Sequence, residues 1–189
     1  FYGLWDNGSP ISNGTSSLIK QEVTSTTTMS GMNLRVTSDN PVDLSSKRGW
    51  YLDLPGTGER VIAEATVAID NLNAADNRII FTTVRPSVDP CNAQGASWLM
   101  ELSFKGRRPS KPVFDLNADL MFDDKDLLGN IVPTGLQSTV GMMKSVTWLD
   151  KDADVAFKLA PGTKGTIQTI ANRGRGQPRS QRVSWQQLM

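Results

Sequence analysis

Histidine is absent from these 189 residues. With it go the commonest general base, the commonest zinc ligand and the usual partner of a nucleophilic serine or cysteine. Cysteine occurs once, and the single Cys91 excludes an internal disulfide and a cysteine-cluster metal site. Two readings of it stand: a small buried residue, or a bridge to a cysteine upstream of Phe1. Net charge is nearly nil, with 20 Lys and Arg against 19 Asp and Glu. No overall field therefore concentrates nucleic acid or an anionic membrane. No apolar run approaches the ~20 residues that span a bilayer. The chain opens at Phe1 in what reads as mid-strand, without an initiator methionine, and we expect a cut N-terminus.

What is present is Asn, Asp, Gly, Ser and Thr between short apolar stretches, the texture of an extracellular β protein with long loops. An Asn13-Gly14-Thr15 sequon carries little weight by itself. The length allows one ordinary domain with a sizeable core. Residues 1–5 read as a short aromatic strand, stopped by Asp6-Asn7-Gly8-Ser9-Pro10. Residues 11–32 read as a Ser/Thr-rich loop that holds a strand near 18–24. Residues 34–37 alternate apolar and polar. In 49–54 the period of two puts Trp50, Leu52 and Leu54 on one face. Three stronger strands follow at 61–70, 78–85 and 97–104, an antiparallel meander of the kind that forms a propeller blade.

After residue 105 a basic stretch (Lys105, Arg107, Arg108, Lys111) gives way to an acidic one (Asp115, Asp119, Asp123, Asp124, Asp126). A helical turn is expected at 124–128 and strands at 140–149, 155–159 and 166–171. Residues 173–181 read as a Gly-, Pro- and Arg-rich flexible loop, and 183–188 as a last segment anchored by Trp185.

Taken in order, several of these segments resemble the PilY/PilC family of type IV pilus tip proteins. Tyr2-Gly3-Leu4-Trp5-Asp6 matches an opening strand, and Gly49-Trp50-Tyr51-Leu52-Asp53-Leu54-Pro55 with Gly58-Glu59-Arg60-Val61 is the most specific match. Phe81-Thr82-Thr83, Asp89-Pro90-Cys91, Gly95 through Ser97-Trp98-Leu99-Met100-Glu101-Leu102, Val113-Phe114-Asp115-Leu116-Asn117 and Ser184-Trp185 continue it. The resemblance implies a mainly β fold: a partial β-propeller of last blades and antiparallel meanders over 1–105, and an irregular β-rich C-terminal extension over 106–189. It further implies a non-enzymatic role in pilus assembly, retraction control and surface adhesion at the pilus tip, after export across both membranes. The implied partners are minor pilins, the rest of its own propeller and the host-cell surface. The family's own calcium loop, an Asp-x-Asp-x-Asp pattern followed by Tyr- and Gly-rich strands, is not found in these residues.

One constellation carries chemistry of its own. In the twelve-residue frame 115–126, oxygen side chains fall at positions 1, 3, 5, 9 and 12 (Asp115, Asn117, Asp119, Asp123, Asp126), and Met121 at position 7 would offer its main-chain carbonyl. Calcium needs this spacing, and a final Asp resembles the dockerin variant. Phe122 at position 8 would pin the loop to the core. Leu120 stands where the sharp turn favours glycine, and positive φ costs a non-glycine residue about 1 kcal/mol. The plainer reading is a solvated turn with Asp123 or Asp124 capping a short helix. Asp150-Lys151-Asp152-Ala153-Asp154 is a shorter echo without a closing acid, and reads as a turn.

Trp5, Trp50, Trp98, Trp148 and Trp185 form either a sugar-stacking platform or, more commonly in a β protein, core packing. Arg173, Arg175, Arg179 and Arg182 read as a solvated loop, or as a patch for an acidic partner. Glu59 and Glu64 are a carboxylate pair with nothing to place them in a pocket. Two other functional classes stay open: a calcium-dependent dockerin-like or lectin-like module, and a fragment of a quinoprotein-like propeller enzyme.

Overall fold

The structure, a computed structural model, describes residues 1–87 and 95–176. Cys91, Arg179, Arg182 and Trp185 lie outside the described residues. Among the described residues eleven strands follow one another: β1 (Tyr2–Leu4), β2 (Ile19–Met29), β3 (Met32–Thr37), β4 (Gly49–Asp53), β5 (Thr66–Ala68), β6 (Arg78–Arg85), β7 (Ala96–Ser103), β8 (Gly135–Gln137), β9 (Thr147–Asp150), β10 (Val155–Pro161) and β11 (Ile167–Arg173). Among the described residues helix is confined to three 3-10 turns, one of them Asp124–Asp126 where the helical turn was expected. No helix among the described residues is long and apolar enough to cross a membrane.

Eight strands form one sheet in the order β1-β4-β2-β3-β8-β7-β6-β5, and β11-β10-β9 form a second. The large sheet curls into a half-barrel, a mainly β architecture compatible with a partial propeller. The meander expected from the sequence is there: β5, β6 and β7 pair antiparallel, with Ile80 opposite Glu101 and Thr82 opposite Leu99. Two pairings were not legible beforehand. β2 runs parallel to β4, with Ile19 opposite Trp50. The short β8 is inserted between β3 and β7, with Leu136 opposite both Leu34 and Leu99.

Several boundaries also move. The Ser/Thr-rich segment expected to be mostly loop is an 11-residue strand, β2, most of it exposed, because β-branched threonine suits a half-solvated strand. The strand expected over 61–70 shrinks to β5, with an isolated bridge from Arg60 to Val84. The strand expected over 140–149 is reduced to β9 and a bridge from Met143 to Gly162. Arg173, expected in a flexible loop, ends β11.

The side chains of β6 and β7 alternate between two cores. Phe81, Trp98, Met100 and Leu102 join Trp50, Leu52 and Val42 on one face, with Ile79 and Leu54 packed against them. Ile80 and Leu99 turn the other way, toward Leu34, Val113, Phe114, Leu116, Val140, Met143 and Ile170. The second core draws on both the first hundred residues and the stretch after 105. Trp50 is held tightly. Its indole N–H donates to the Phe104 carbonyl at 2.9 Å. A Cβ on Gly3 or Gly106 would lie 2.4 or 2.2 Å from its ring, and Gly106 has φ +71°. Only glycine fits both places.

Candidate functional site

The acidic loop 115–126 hangs from β11. Phe114 bridges Asn172, and Arg173 N–H donates to the Val113 carbonyl at 2.9 Å. From this buried anchor the chain turns outward and folds around its own carboxylates. Asp115 Oδ1 accepts from Ala118 N at 2.7 Å and Asn117 N at 3.3 Å, and its Oδ2 accepts from Leu120 N at 3.0 Å. Asn117 Oδ1 accepts from Asp119 N at 3.1 Å, and its amide donates to Asp119 Oδ2 at 2.8 Å. Asp119 Oδ1 accepts from Met121 N at 2.8 Å, and Lys125 Nζ stands 3.3 Å from its Oδ2.

Asp126 closes the frame. It is fully buried, accepting from Leu116 N at 2.6 Å and Asp123 N at 3.2 Å, so one carboxylate joins both ends of the loop. Burial pushes the Asp126 carboxyl above its ordinary range, and the charges of Asp115 and Asp119 push it the same way. Asp123 caps the 3-10 turn through Lys125 N at 2.9 Å, in a capping box with Asp126. Ala118 and Leu120 have φ of +64° and +60°. The strained turn that the frame requires at Leu120 is therefore present despite the missing glycine.

The six frame residues thus share one loop. Asp115, Asn117, Asp119 and Asp126 point their oxygens at its amides, Asp123 serves as a cap, and the Met121 side chain is exposed. Among the described residues, no three His, Cys, Asp or Glu side chains stand gathered as a metal-ligand group. Leu120, Met121 and Phe122 line a cleft of about 520 Å³ together with Asp152, Asp154, Asp76, Lys111 and Arg173. The second Asp-rich segment therefore shares this cleft with the apolar residues 120–122 of the first, whose carboxylates do not line it. Asp152 itself makes a turn, its Oδ1 accepting from Asp154 N and Val155 N at 2.9 and 2.8 Å.

Beside the loop's anchor lies a cluster that sequence reasoning missed. Arg78 of β6, Glu101 of β7, Lys158 of β10 and Asn172 of β11 are each at most 1% exposed, and they join the two sheets. Arg78 Nη1 donates to Glu101 Oε2 and Asn172 Oδ1, both at 3.3 Å, while Nη2 donates to the carbonyls of Arg173 and Gly174 at 2.9 and 3.0 Å. Asn172 Nδ2 donates to Glu101 Oε1 at 2.6 Å, and Lys158 Nζ donates to that same oxygen. The Trp148 ring covers Lys158 Nζ at 4.7 Å. Burial lowers the Lys158 ammonium to about 7, against the Glu101 charge and with help from that of Arg78. One sequence signal was available: in Ala156-Phe157-Lys158-Leu159-Ala160 the lysine shares its face with two alanines, which leave it room.

A second buried pair uses Glu59, whose carboxylate takes Arg35 in a two-pronged contact at 2.6 and 2.9 Å and accepts from Thr83 Oγ1 at 2.6 Å. Glu64 is exposed and forms no pair with it. The Arg35 guanidinium stacks on Trp98 at 4.0 Å. Trp50 and Trp98 are core residues, Trp148 covers the ionic cluster and Trp5 is 43% exposed, so the described tryptophans form no common platform. Arg175 is bound to Asp150, and Arg173 stands 3.5 Å from Asp70.

Over 102 residues the chain is 32% identical to a type IV pilus biogenesis factor PilY1 homolog of Xylella fastidiosa. Over 166 residues it is 28% identical to type IV pilus biogenesis factor PilY1 of Pseudomonas aeruginosa. The chain is similar to PilY1 proteins. These matches take in 53% and 74% of this chain, but only 7% and 14% of the two relatives, so it spans a small part of their length. No family model matches the chain, and no solved structure does.

Proposed function

We propose that this chain is a non-enzymatic structural and interaction module of a type IV pilus biogenesis factor, acting at the cell surface or pilus tip. The similarity to two PilY1 proteins carries this reading. The mainly β architecture, with edge strands β1 and β5 open at the ends of the large sheet, supports it. Minor pilins and the rest of the parent protein are the partners we assign to this module, and adhesion and control of retraction are its further roles. Deleting residues 1–189 from the encoded protein in its native host should abolish surface pili. Wild-type piliation after the deletion would overturn the reading.

The acidic loop adds calcium stabilisation. Its donor set is all oxygen, which suits a hard cation, and its backbone already takes the positive φ at Leu120. Asp115, Asn117, Asp119, Asp123 and Asp126 would hold the ion with side-chain oxygens, and Met121 with its main-chain carbonyl. Bound calcium would neutralise carboxylates whose charges otherwise repel. At a hundredfold excess over Kd, calcium stabilises a fold by about 2.7 kcal/mol. For a chain of this size that raises Tm by about 5 to 10 °C. The rise should vanish in Asp115→Ala/Asp119→Ala, and an unchanged Tm in the native chain would refute calcium binding.

A further inference from the structure

Lys158 and Asn172 are diagonal neighbours on one face of the β10–β11 pair, since Lys158 lies opposite Ile170 and Asn172 opposite Ala156. Their terminal nitrogens both bond to one oxygen, Glu101 Oε1, in a fully buried site. We propose that these two side chains join in an intramolecular isopeptide bond, with Glu101 carrying the proton and Arg78 polarising the carboxamide.

Each role follows from the geometry. An amine attacks a carbonyl only when unprotonated, and desolvation favours that form of a buried lysine. Burial under Trp148 supplies the desolvation, in agreement with the lowered Lys158 value of about 7. Asn172 Oδ1, where negative charge develops during attack, already accepts from Arg78 Nη1 at 3.3 Å. Glu101 Oε1 contacts both the attacking and the leaving nitrogen, the position a proton carrier needs. Holding all four groups in a packed interior replaces the entropy cost of bringing them together.

The lone pair of Lys158 Nζ forms a bond to Asn172 Cγ, and the carbonyl electrons move onto Oδ1. Glu101 takes one proton from Nζ and delivers it to Nδ2. The carbonyl re-forms, the Cγ–Nδ2 bond breaks and ammonia leaves. One amine and one carboxamide become one secondary amide and one ammonia. Nothing is oxidised or reduced, and Glu101 ends as it began. The product is a covalent staple in a chain whose single cysteine allows no internal disulfide. It is a single event within one molecule, independent of the pilus reading.

Intact-mass spectrometry of the purified, denatured chain is the test. The native sequence should be lighter than its composition by one ammonia. A tryptic digest should hold a branched peptide joining residues 152–164 to 165–173, uncut after Lys158. Lys158→Met keeps Arg78 paired with Glu101, and it should fold and show the full mass. Glu101→Gln should fold, as judged by circular dichroism, and remain unlinked; a linked Glu101→Gln chain would remove Glu101 as the proton carrier. Full mass for the folded native chain would overturn the proposal and leave a buried ionic network.

Discussion

Replacing Glu59 by glutamine leaves the shape of the side chain nearly intact and removes one charge. The Glu59 side chain is 1% exposed and that of Arg35 6%, so the guanidinium would stay buried without its counter-charge. Breaking a buried pair from one side costs about 3 to 5 kcal/mol. A fold of this kind has about 5 to 15 kcal/mol in total, so the loss is a large fraction of it. For a chain of this length the corresponding drop in Tm is about 6 to 20 °C. Thermal unfolding followed by circular dichroism reads it directly. Arg35→Met alone should be comparably harmful, and the double variant should recover part of the sum, because neither charge is then left alone. The pH dependence has a fixed sign. Burial alone would raise the Glu59 carboxyl, but the bonds from Arg35 and Thr83 outweigh it and hold it below its ordinary 4.5. Its contribution is therefore complete above about 4.5 and is lost as the pH falls through the lowered folded value. A Glu59→Gln chain melting within about 2 °C of the native one would refute this reasoning, since that shift corresponds to less than about 1 kcal/mol.

Gly106→Ala should destabilise the fold by more than about 1 kcal/mol, because it adds a left-handed strain to a collision with the Trp50 ring; denaturant unfolding with tryptophan fluorescence checks it. Ala118→Gly should do the reverse and stabilise by about 0.5 to 1 kcal/mol, since relief of positive-φ strain at an exposed site exceeds the added chain entropy; urea midpoints at constant m-value would show it. Phe114→Ala removes a ring that is 1% exposed at the root of the acidic loop and should cost about 3 to 5 kcal/mol, read in the same urea series.

Local patterns were legible where one physical cause acted alone. Trp50, Leu52 and Leu54 alternate with polar neighbours and do face one core. The run 78–85 is β-branched and apolar and forms β6 as expected. A cap at Asp123 or Asp124 was expected before a helical turn, and Asp123 takes it. What failed was long-range. Nothing in residues 135–137 announces a strand, because β8 owes its pairing to β3 and β7 on either side of it. β10 misleads more directly: Phe157 and Leu159 suggest the inward face, yet Ala156, Lys158 and Ala160 are the buried set. The lysine is accepted inside only because Glu101, about sixty residues earlier in the chain, meets it there. The loop frame lay between these cases. Its oxygen spacing was visible, whereas the turning of those oxygens onto the loop's own amides was not.

The placement of β8 also governs the order in which this molecule can assemble. β1, β4, β2 and β3 make four strands of the large sheet and β7, β6 and β5 another three, and in the described strand ladder the two groups are joined through residues 135–137. Until that short segment has emerged from the ribosome or crossed the membrane, β3 and β7 each present a bare edge. Contacts this distant in sequence slow folding, and bare edges in a waiting chain invite pairing with other chains. A chain delivered unfolded would therefore need shielding until residues 135–137 are in place, and then the sheet could close in one late step.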